Sequence, residues 1–228
     1  VAFGNNTFVS VGEDEEIVRS TDNGASWSSP SSGVSYHDLK GVTFGNNIFE
    51  VSGQTSWSNS SHNNQNTRYV KILKSINDGS NWSSQNSPYN NTIDLYGLTF
   101  GSNTFVAVGE KGKIVRSTDN GSSWDNVTSG VSPYPPIGEY IFRGVAFGNN
   151  TFVAVGQSGK IIISDDNGVS WSNSTSNTSD YLYAVTFGNN TFVAVGSGGT
   201  IITSPDGITW TTRTSGTSND LHGVTFRE

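Results

Sequence analysis

Acidic side chains recur at one kind of position in this sequence, and paired carboxylates are the groups that glycoside hydrolysis requires. Four aspartates each stand a few residues before a repeated, phenylalanine-containing segment: Asp38, Asp94, Asp180 and Asp220. An aspartate at the start of a strand is also an ordinary turn residue. The sequence contains no Walker loop, no His-Glu-x-x-His motif and no nucleophile elbow. An enzyme is therefore the third-ranked hypothesis.

A second set of reactive side chains lies beside the aspartates. The residue before each Gly-Val-Thr-Phe-like segment is large and polar, and its identity changes while its neighbours repeat. We call this set the rim row: Lys40, Tyr96, Arg143, Tyr183 and His222. Such a mixed set suits a small-ligand or glycan site, and a solvated rim is the alternative. Three further candidates from the variable segments are Tyr36, Trp57 and Tyr181.

The positions of these residues are set by an internal repeat. The segment Val1-Ala-Phe-Gly-Asn-Asn-Thr-Phe-Val-Ser-Val-Gly12 returns, with variations, at Val42, Leu98, Val145 and Val185, and its opening returns at Val224. Intervals of roughly 40 to 56 residues have the size of a β-propeller blade. A single domain is expected, with units at about 1–41, 42–97, 98–144, 145–184 and 185–223, and a C-terminal strand at 221–226.

A second motif, Ser-x-Asp-x-Gly-x-x-Trp, follows once in every unit, first as Ser20-Thr-Asp-Asn-Gly-Ala-Ser-Trp27. Its carboxylate can accept hydrogen bonds from turn N–H groups, and its tryptophan can pack between blades. We therefore interpret the motif as structural rather than ligand-binding. Its paired positions are Asp22 and Trp27, Asn77 and Trp82, Asp119 and Trp124, Asp166 and Trp171, and Asp206 and Trp210. The second copy has Asn for Asp, and the fifth is one residue shorter.

These five motifs resemble the Asp-box, or bacterial neuraminidase repeat, family over essentially the whole chain. The resemblance implies an all-β fold, a β-propeller of five four-stranded antiparallel blades with each Asp-box turn between the third and fourth strands. It implies no single function, because Asp-boxes occur in sialidases, sortilin-type receptors and photosystem II assembly factors. The Phe-Arg-Ile-Pro signature of sialidases is absent, and Arg19 and Arg116 occupy one framework position of the repeat. A sialidase-like hydrolase is not expected.

The residues predict the strands independently. Segments such as Thr191-Phe-Val-Ala-Val195 are rich in β-formers, and Gly-Asn-Asn marks a hairpin turn. In each blade the A–B and C–D turns share one face, and the B–C and D–A connections share the other. The long insertions, about 54–68 and 125–140, fall in the second set, as do all the tyrosines and histidines. This variable face is the predicted binding face.

Composition excludes several partners. The net charge is −7 and there is no Cys, which argues against nucleic-acid binding, disulfides and Cys-ligated metals. No apolar run reaches the length of a membrane span, and neither a cofactor nor a metal is predicted. The acidic run Glu13–Glu16 is interpreted as a solvated loop, with a cation site or an electrostatic contact between molecules as the alternatives. Numerous Asn-x-Ser/Thr sequons favour an extracellular or cell-surface location.

The predicted function is a non-catalytic extracellular or cell-surface binding module that recognises glycans or a surface polymer. The alternative is a structural unit that self-assembles by strand exchange. The segment Leu221–Phe226 is a sixth copy of strand A, and we expect it to displace Val1–Phe3 and close the ring against strand B of the first blade. A strand passed to a neighbouring molecule, or membership of a longer propeller, are the other possibilities. The chain is thus expected to be a monomer or a strand-exchanged homo-oligomer.

Overall fold

The chain folds into five antiparallel sheets whose strands follow one another in sequence order. The structure, a computed structural model, describes residues 1–35, 37–55, 69–90, 93–130 and 140–226. The first sheet contains β1 (Ala2–Gly4), β2 (Thr7–Val11) and β3 (Ile17–Ser20). The second contains β4 (His37–Gly45), β5 (Ile48–Thr55), β6 (Tyr69–Ser75) and β7 (Ser83–Asn90). Each sheet is one blade, with strand A first in the chain.

The remaining three blades repeat the four-stranded pattern. Blade three contains β8 (Leu95–Gly101), β9 (Thr104–Gly109), β10 (Ile114–Ser117) and β11 (Asp125–Val127). Blade four contains β12 (Phe142–Gly148), β13 (Thr151–Gly156), β14 (Ile161–Ser164) and β15 (Ser172–Ser174). Blade five contains β16 (Leu182–Gly188), β17 (Thr191–Gly196), β18 (Ile201–Ser204) and β19 (Thr211–Arg213).

The first blade differs from the others in its fourth strand. Sequence analysis predicts four strands, but the segment after Trp27 makes only one bridge, between Arg19 and Ser28. In blade three the matching segment pairs over three residues, ending with Ile114 opposite Val127. The residue equivalent to Val127 is Pro30, which has no N–H to donate to the ladder. The fourth strand of blade one is therefore cut short by its own sequence.

The A–B hairpins owe their geometry to paired turn residues with left-handed backbones. Asn5 and Asn6 have φ of 48° and 55°, and the same conformation recurs in all five blades. Two successive positive φ values give the type I′ turn, whose twist matches that of the flanking strands. These turns fix the register in which the paired phenylalanines meet, such as Phe147 opposite Phe152 in blade four.

The apolar cores lie between blades. Between blades three and four, Val106, Val108 and Ile114 of the earlier blade pack against Phe152 and Trp171 of the later one. Equivalent residues form the other internal interfaces, except that blade two has Glu50 and Ser52 in place of the two valines. In each case the aromatic side of one blade covers the aliphatic side of the blade before it. A chain with only 32% hydrophobic residues can bury its core this way because each strand supplies side chains to two neighbours.

The inner ends of the blades fit together through glycine. A phenylalanine of each strand A lies over the glycine that ends strand A of the preceding blade, as Phe187 lies over Gly148. A Cβ at that glycine would collide with the ring. The other pairs are Phe44 on Gly4, Phe100 on Gly45, Phe147 on Gly101, and Phe226 on Gly188.

The last of these pairs corrects the prediction of ring closure. Phe226 takes the place that strand A of a following blade would take, and Leu221 N donates to the Gly196 carbonyl at 3.0 Å. Residues 221–226 form no strand in the structure. Strand β1, not the C-terminal copy, pairs with β2, through Phe3 opposite Phe8. The expected displacement of Val1–Phe3 is therefore wrong for this structure, because both positions are filled separately.

One interface contains a buried carboxyl group. Glu50 is fully buried where other blades have valine, at Val9, Val106 and Val153. It faces the Asp-box turn of blade three beside Gly121, and neither oxygen has a hydrogen-bond partner among the described residues. Burial raises the pKa of Glu50 to about 9, against the opposing effect of Lys74. At neutral pH this side chain is therefore uncharged in the folded protein.

The unequal burial of the Asp-box tryptophans predicts unequal effects on stability. Trp124 is 7% exposed on blade two, whereas Trp27 is 47% exposed. Trp124→Ala should lower the free energy of unfolding by about 3 to 5 kcal/mol, the usual range for a buried large aromatic. Trp27→Ala should lower it by about 1 kcal/mol or less. Urea denaturation of both variants provides the measurement, and equal losses would contradict the interface assignment.

The buried Glu50 predicts a pH-dependent stability. The folded protein retains a proton that the unfolded chain releases above its ordinary pKa of 4.5. The free energy of unfolding should therefore fall as pH rises from about 4.5 to about 9. Glu50→Val, which restores the residue of the other blades, should raise it by about 1 to 4 kcal/mol near pH 8.

Denaturation midpoints measured from pH 5 to pH 9 test this prediction, with Glu50→Gln as the control that removes only the ionisation. The Asp-box carboxylates do not interfere, because hydrogen bonds from the Ser26 and Ser123 side chains lower the pKa of Asp22 and Asp119 to about 2. If the wild-type and Glu50→Gln proteins show the same pH profile, Glu50 is not the titrating group.

Candidate functional site

The Asp-box turns are closed by a repeated set of hydrogen bonds. In the first, the Gly24 N–H donates to Ser20 Oγ at 2.9 Å, and Ser26 N donates to Asp22 Oδ1 at 2.9 Å. The Trp27 indole N–H donates to the Gly24 carbonyl at 3.1 Å. Since these groups bond within their own turn, the motif holds the third and fourth strands together.

The two unusual Asp-boxes keep this arrangement. Asn77 Oδ1 accepts from Asn81 N at 3.0 Å, as the aspartates do, so the amide oxygen supplies the same acceptor. In the shortened fifth copy, Asp206 Oδ1 accepts from both Ile208 N and Thr209 N at 2.9 Å. Trp124 alone among the described Asp-box tryptophans leaves its indole N–H without a partner.

Adjacent blades also contact one another through these turns. The Arg19 Nε group donates to the Asp78 carbonyl at 2.9 Å, from strand C of blade one to the Asp-box of blade two. Lys74 Nζ makes the equivalent bond to the Asn120 carbonyl in blade three. The basic side chains at this strand-C position of blades one and two thus link each blade to the next, whereas the Nε group of Arg116 in blade three has no partner among the described residues.

The rim row lies in consecutive order along the inner strands. Gly41 approaches the Tyr96 carbonyl, and Gly97 approaches the Arg143 carbonyl, so closely that little or no room remains for a Cβ. The residue that precedes each glycine is therefore carried next to the corresponding residue of the following blade. Close backbone packing thus brings together side chains from separate repeats.

The centre of the rim row is a cation–π contact. The Arg143 guanidinium lies over the Tyr96 ring, with its central carbon 4.2 Å from the ring centroid. The Tyr96 side chain is also held at its hydroxyl, which donates a hydrogen bond to Glu110 Oε1 at 3.1 Å. Burial, together with the charges of Glu110 and Asp94, raises the pKa of Tyr96, so the phenol stays neutral. Among the described residues, no hydrogen bond or ion pair engages the exposed Arg143 guanidinium.

An aromatic cluster continues the row beyond Arg143. The ring centroids of Tyr183 and His222 are 4.8 Å apart, and the Tyr181 ring stacks on that of Tyr183 with a centroid distance of 6.4 Å. The Tyr183 hydroxyl donates to Asp220 Oδ2 at 3.3 Å, and Gln157 Nε2 donates to the Tyr181 hydroxyl at 2.9 Å. These hydrogen bonds fix the positions of the two tyrosine hydroxyls and thereby orient the rings.

Lys40, at the other end of the row, has a different environment. Its ammonium lies 3.5 Å from Asp38 Oδ2 and 3.8 Å from Glu13 Oε1. Asp38 also accepts from the Asp14 backbone N–H. Lys40 therefore links the acidic run to strand A. Because its ammonium is paired with two carboxylates, it is less available to a ligand than the Arg143 guanidinium. Tyr36 and Trp57, which were also predicted as ligand-binding candidates, lie outside the described residues.

The aspartates considered for hydrolysis have local partners. Asp180 accepts hydrogen bonds from the hydroxyls of Thr178 and Thr200, at 3.0 and 2.6 Å. Asp220 Oδ1 accepts from the Gly198 backbone N–H. In the described ranges, no group of three or more His, Asp or Glu side chains could hold a metal ion. These carboxylates stabilise the B–C turns in the way that turn aspartates commonly do.

Sequence reasoning missed two features of this face. Glu110 accepts the hydrogen bond that holds the Tyr96 hydroxyl in place. In the sequence, the only indication of this contact is that Glu110 directly follows strand B of the same repeat unit. A cleft of about 290 Å³ lies along blade three, lined by Tyr89, Lys111, Lys113 and residues 126–129. Lys113 lies over the Tyr89 ring, 5.0 Å from its centroid. Neither contact follows from sequence spacing, because each joins different strands.

Comparison with known proteins gives the fold. The sequence matches no family model and no curated protein. One similar solved structure is "YCF48 bound to D1 peptide", with a TM-score of 0.65 at 16% identity over 94% of this chain. Another is YCF48 from Cyanidioschyzon merolae, with a TM-score of 0.54 at 16% identity over 91% of this chain. The chain spans 65% of the first structure and 81% of the second.

These similarities confirm the predicted all-β β-propeller with five blades. At 16% identity they extend to the fold alone. The Asp-box family stays a resemblance. The described residues include no helix both long and apolar enough to cross a membrane.

Proposed function

We propose that this chain is a non-catalytic binding module whose ligand lies along the rim row. The observation that carries the proposal is the Arg143 guanidinium, stacked on Tyr96, exposed, and unpaired among the described residues. An arginine held flat against a ring is pre-organised, and its N–H groups remain available for a carboxylate or a peptide carbonyl. Its neighbours Tyr183 and His222 offer aromatic faces of the kind enriched at binding hot spots.

The proposed ligand is an extended segment of another polypeptide. The members of the rim row come from successive blades, so an extended peptide can contact several of them at once. Tyrosine faces pack apolar side chains, while Arg143 binds carbonyl or carboxylate oxygens. The similar propeller bound to a D1 peptide supports this ligand class.

A glycan or surface polymer is the second candidate. It is favoured by the stacked pair Tyr181 and Tyr183 and by the carboxylate of Asp220, which accepts a hydrogen bond from the Tyr183 hydroxyl. Rings of this kind offer flat apolar area, and carboxylates accept hydrogen bonds from hydroxyl groups. An extracellular or surface location is also part of the proposal, and it rests on the sequons and the absence of Cys.

Selection from a phage-displayed random-peptide library tests the proposal. Peptides selected on the wild-type protein should bind the double variant Arg143→Ala/Tyr183→Ala at least about tenfold more weakly, since both changes remove anchors at the centre of the row. Arg213→Ala, which removes an exposed arginine from the outermost strand of blade five, is the matched control and should bind normally.

Fluorescence anisotropy with the selected peptides gives the affinities, and thermal melts verify that the variants are folded. Peptides that bind wild-type and double variant equally would show that the rim row is not the site. A glycan array probed with the same three proteins decides the ligand class. Glycan binding that the double variant loses, with no peptide selected, would replace the peptide proposal by the glycan one.

A further inference from the structure

The cleft along blade three is lined by two lysines. Its lining among the described residues consists of Tyr89 from blade two, residues 111–113 of the B–C turn, and residues 126–129 at the end of the fourth strand. No carboxylate belongs to this set. Because the chain as a whole has a net charge of −7, a concave site whose charged lining residues are Lys111 and Lys113 differs in sign from the rest of the protein.

Lys113 is held in place by an aromatic ring of the preceding blade. Its ammonium lies over the Tyr89 ring, 5.0 Å from the ring centroid. Tyr89 is buried, and its hydroxyl donates to the Ile114 carbonyl at 3.1 Å. Burial raises the pKa of Tyr89 to about 12, so the hydroxyl keeps its proton at neutral pH. A fixed ring thus positions the Lys113 ammonium, and no ion pair engages that ammonium in the described part of the chain.

Lys111 has a backbone conformation that a lysine seldom adopts. Its φ of 56° and ψ of 27° lie in the left-handed region, where residues other than glycine, asparagine and aspartate are uncommon. The equivalent residues are Ser158 in blade four and Gly198 in blade five, with φ of 56° and 62°. The same turn therefore forms with small residues and does not need a lysine. A long charged side chain at a strained position beside a cleft indicates a role in binding rather than in folding.

From these observations we infer that the cleft binds a small sugar or polyol that carries a phosphate or sulfate monoester. Lys111 and Lys113 flank Gly112 in one turn, and both line the cleft, so their ammonium groups can bind the oxygens of one tetrahedral anion. The Thr128 hydroxyl and the Asn126 amide supply uncharged hydrogen-bonding groups for the hydroxyls of the sugar. The volume of about 290 Å³ is at the lower end of the range for small-molecule sites.

Titration of the isotope-labelled protein with glucose 6-phosphate and with glucose 6-sulfate, followed by amide chemical shifts, tests the site. The wild type should show saturable shifts centred on residues 111–113 and 126–128. Lys111→Gly and Lys113→Gln should each weaken binding at least about tenfold, because each removes a charge-assisted hydrogen bond. The melting temperature of Lys111→Gly should not fall, since glycine adopts the left-handed conformation without strain.

Lys160→Gln is the matched control. Lys160 occupies the position of Lys113 in blade four and lies over the Tyr140 ring, 5.5 Å from its centroid, but its turn has Ser158 in place of the second lysine. This variant should bind both esters like the wild type. Arg143→Ala should also bind them normally, which separates this cleft from ligand binding at the rim row.

Glucose and inorganic phosphate show which part of the ligand is recognised. Glucose should give no saturable shifts, and inorganic phosphate should bind more weakly than glucose 6-phosphate, because it lacks the hydroxyls that reach Asn126 and Thr128. Inorganic phosphate that binds as tightly as the ester would overturn the sugar part of the proposal. The proposal as a whole is overturned if neither ester binds the wild type saturably, or if a folded Lys111→Gly/Lys113→Gln double variant binds as tightly as the wild type.

Discussion

The packing of a tryptophan and a phenylalanine from one blade against two valines and an isoleucine of the blade before it holds this chain together. A single small sheet has two exposed faces and buries little surface. When sheets are stacked radially, each face covers a neighbour, and the apolar residues of one strand serve two cores. The Asp-box turns and the phenylalanine–glycine contacts keep successive blades at the spacing that this packing requires.

The candidate site is a consequence of the same stacking. Glycines such as Gly41 and Gly97 let the inner strands approach each other, and the residues before them are brought into a row. Arg143 and Tyr96 are far apart in sequence, but they occupy the same position in neighbouring blades and therefore touch. Variation at this one repeat position changes the chemistry of the rim without altering the framework beneath it, which is how repeat proteins separate stability from recognition.

Glu50 shows how one interface can depart from the rule. Its position belongs to valine in the other blades, and the carboxyl is buried without a hydrogen-bond partner in the described part of the chain. Lys74 lies close enough to oppose the rise in pKa, yet burial dominates. A neutral acid in an apolar interface is tolerated because protonation avoids the larger free-energy penalty of a buried charge. We therefore expect the contact between blades two and three to weaken as pH rises and Glu50 loses its proton.

The blades and their turns could be predicted from the sequence because they are local and repeated. Paired asparagines determine the hairpins, the Ser-x-Asp-x-Gly-x-x-Trp motif determines the C–D turns, and Thr-Phe-Val-Ala-Val segments form strand B. Even the short fourth strand of blade one follows from Pro30, which could have been recognised in advance. The rim row was also identified by position, since its residues vary while their neighbours repeat.

Only the tertiary structure decided how the ends of the chain are arranged and which residues meet between blades. The two copies of strand A, Ala2–Gly4 and 221–226, are alike in sequence, but one pairs with β2 and the other lies against Gly188. The stacking of Arg143 on Tyr96 and the burial of Glu50 likewise depend on which blade stands next to which. A repeat specifies the framework that every interface shares, but it does not determine which variable side chains meet across an interface, because that depends on the order in which the blades are stacked.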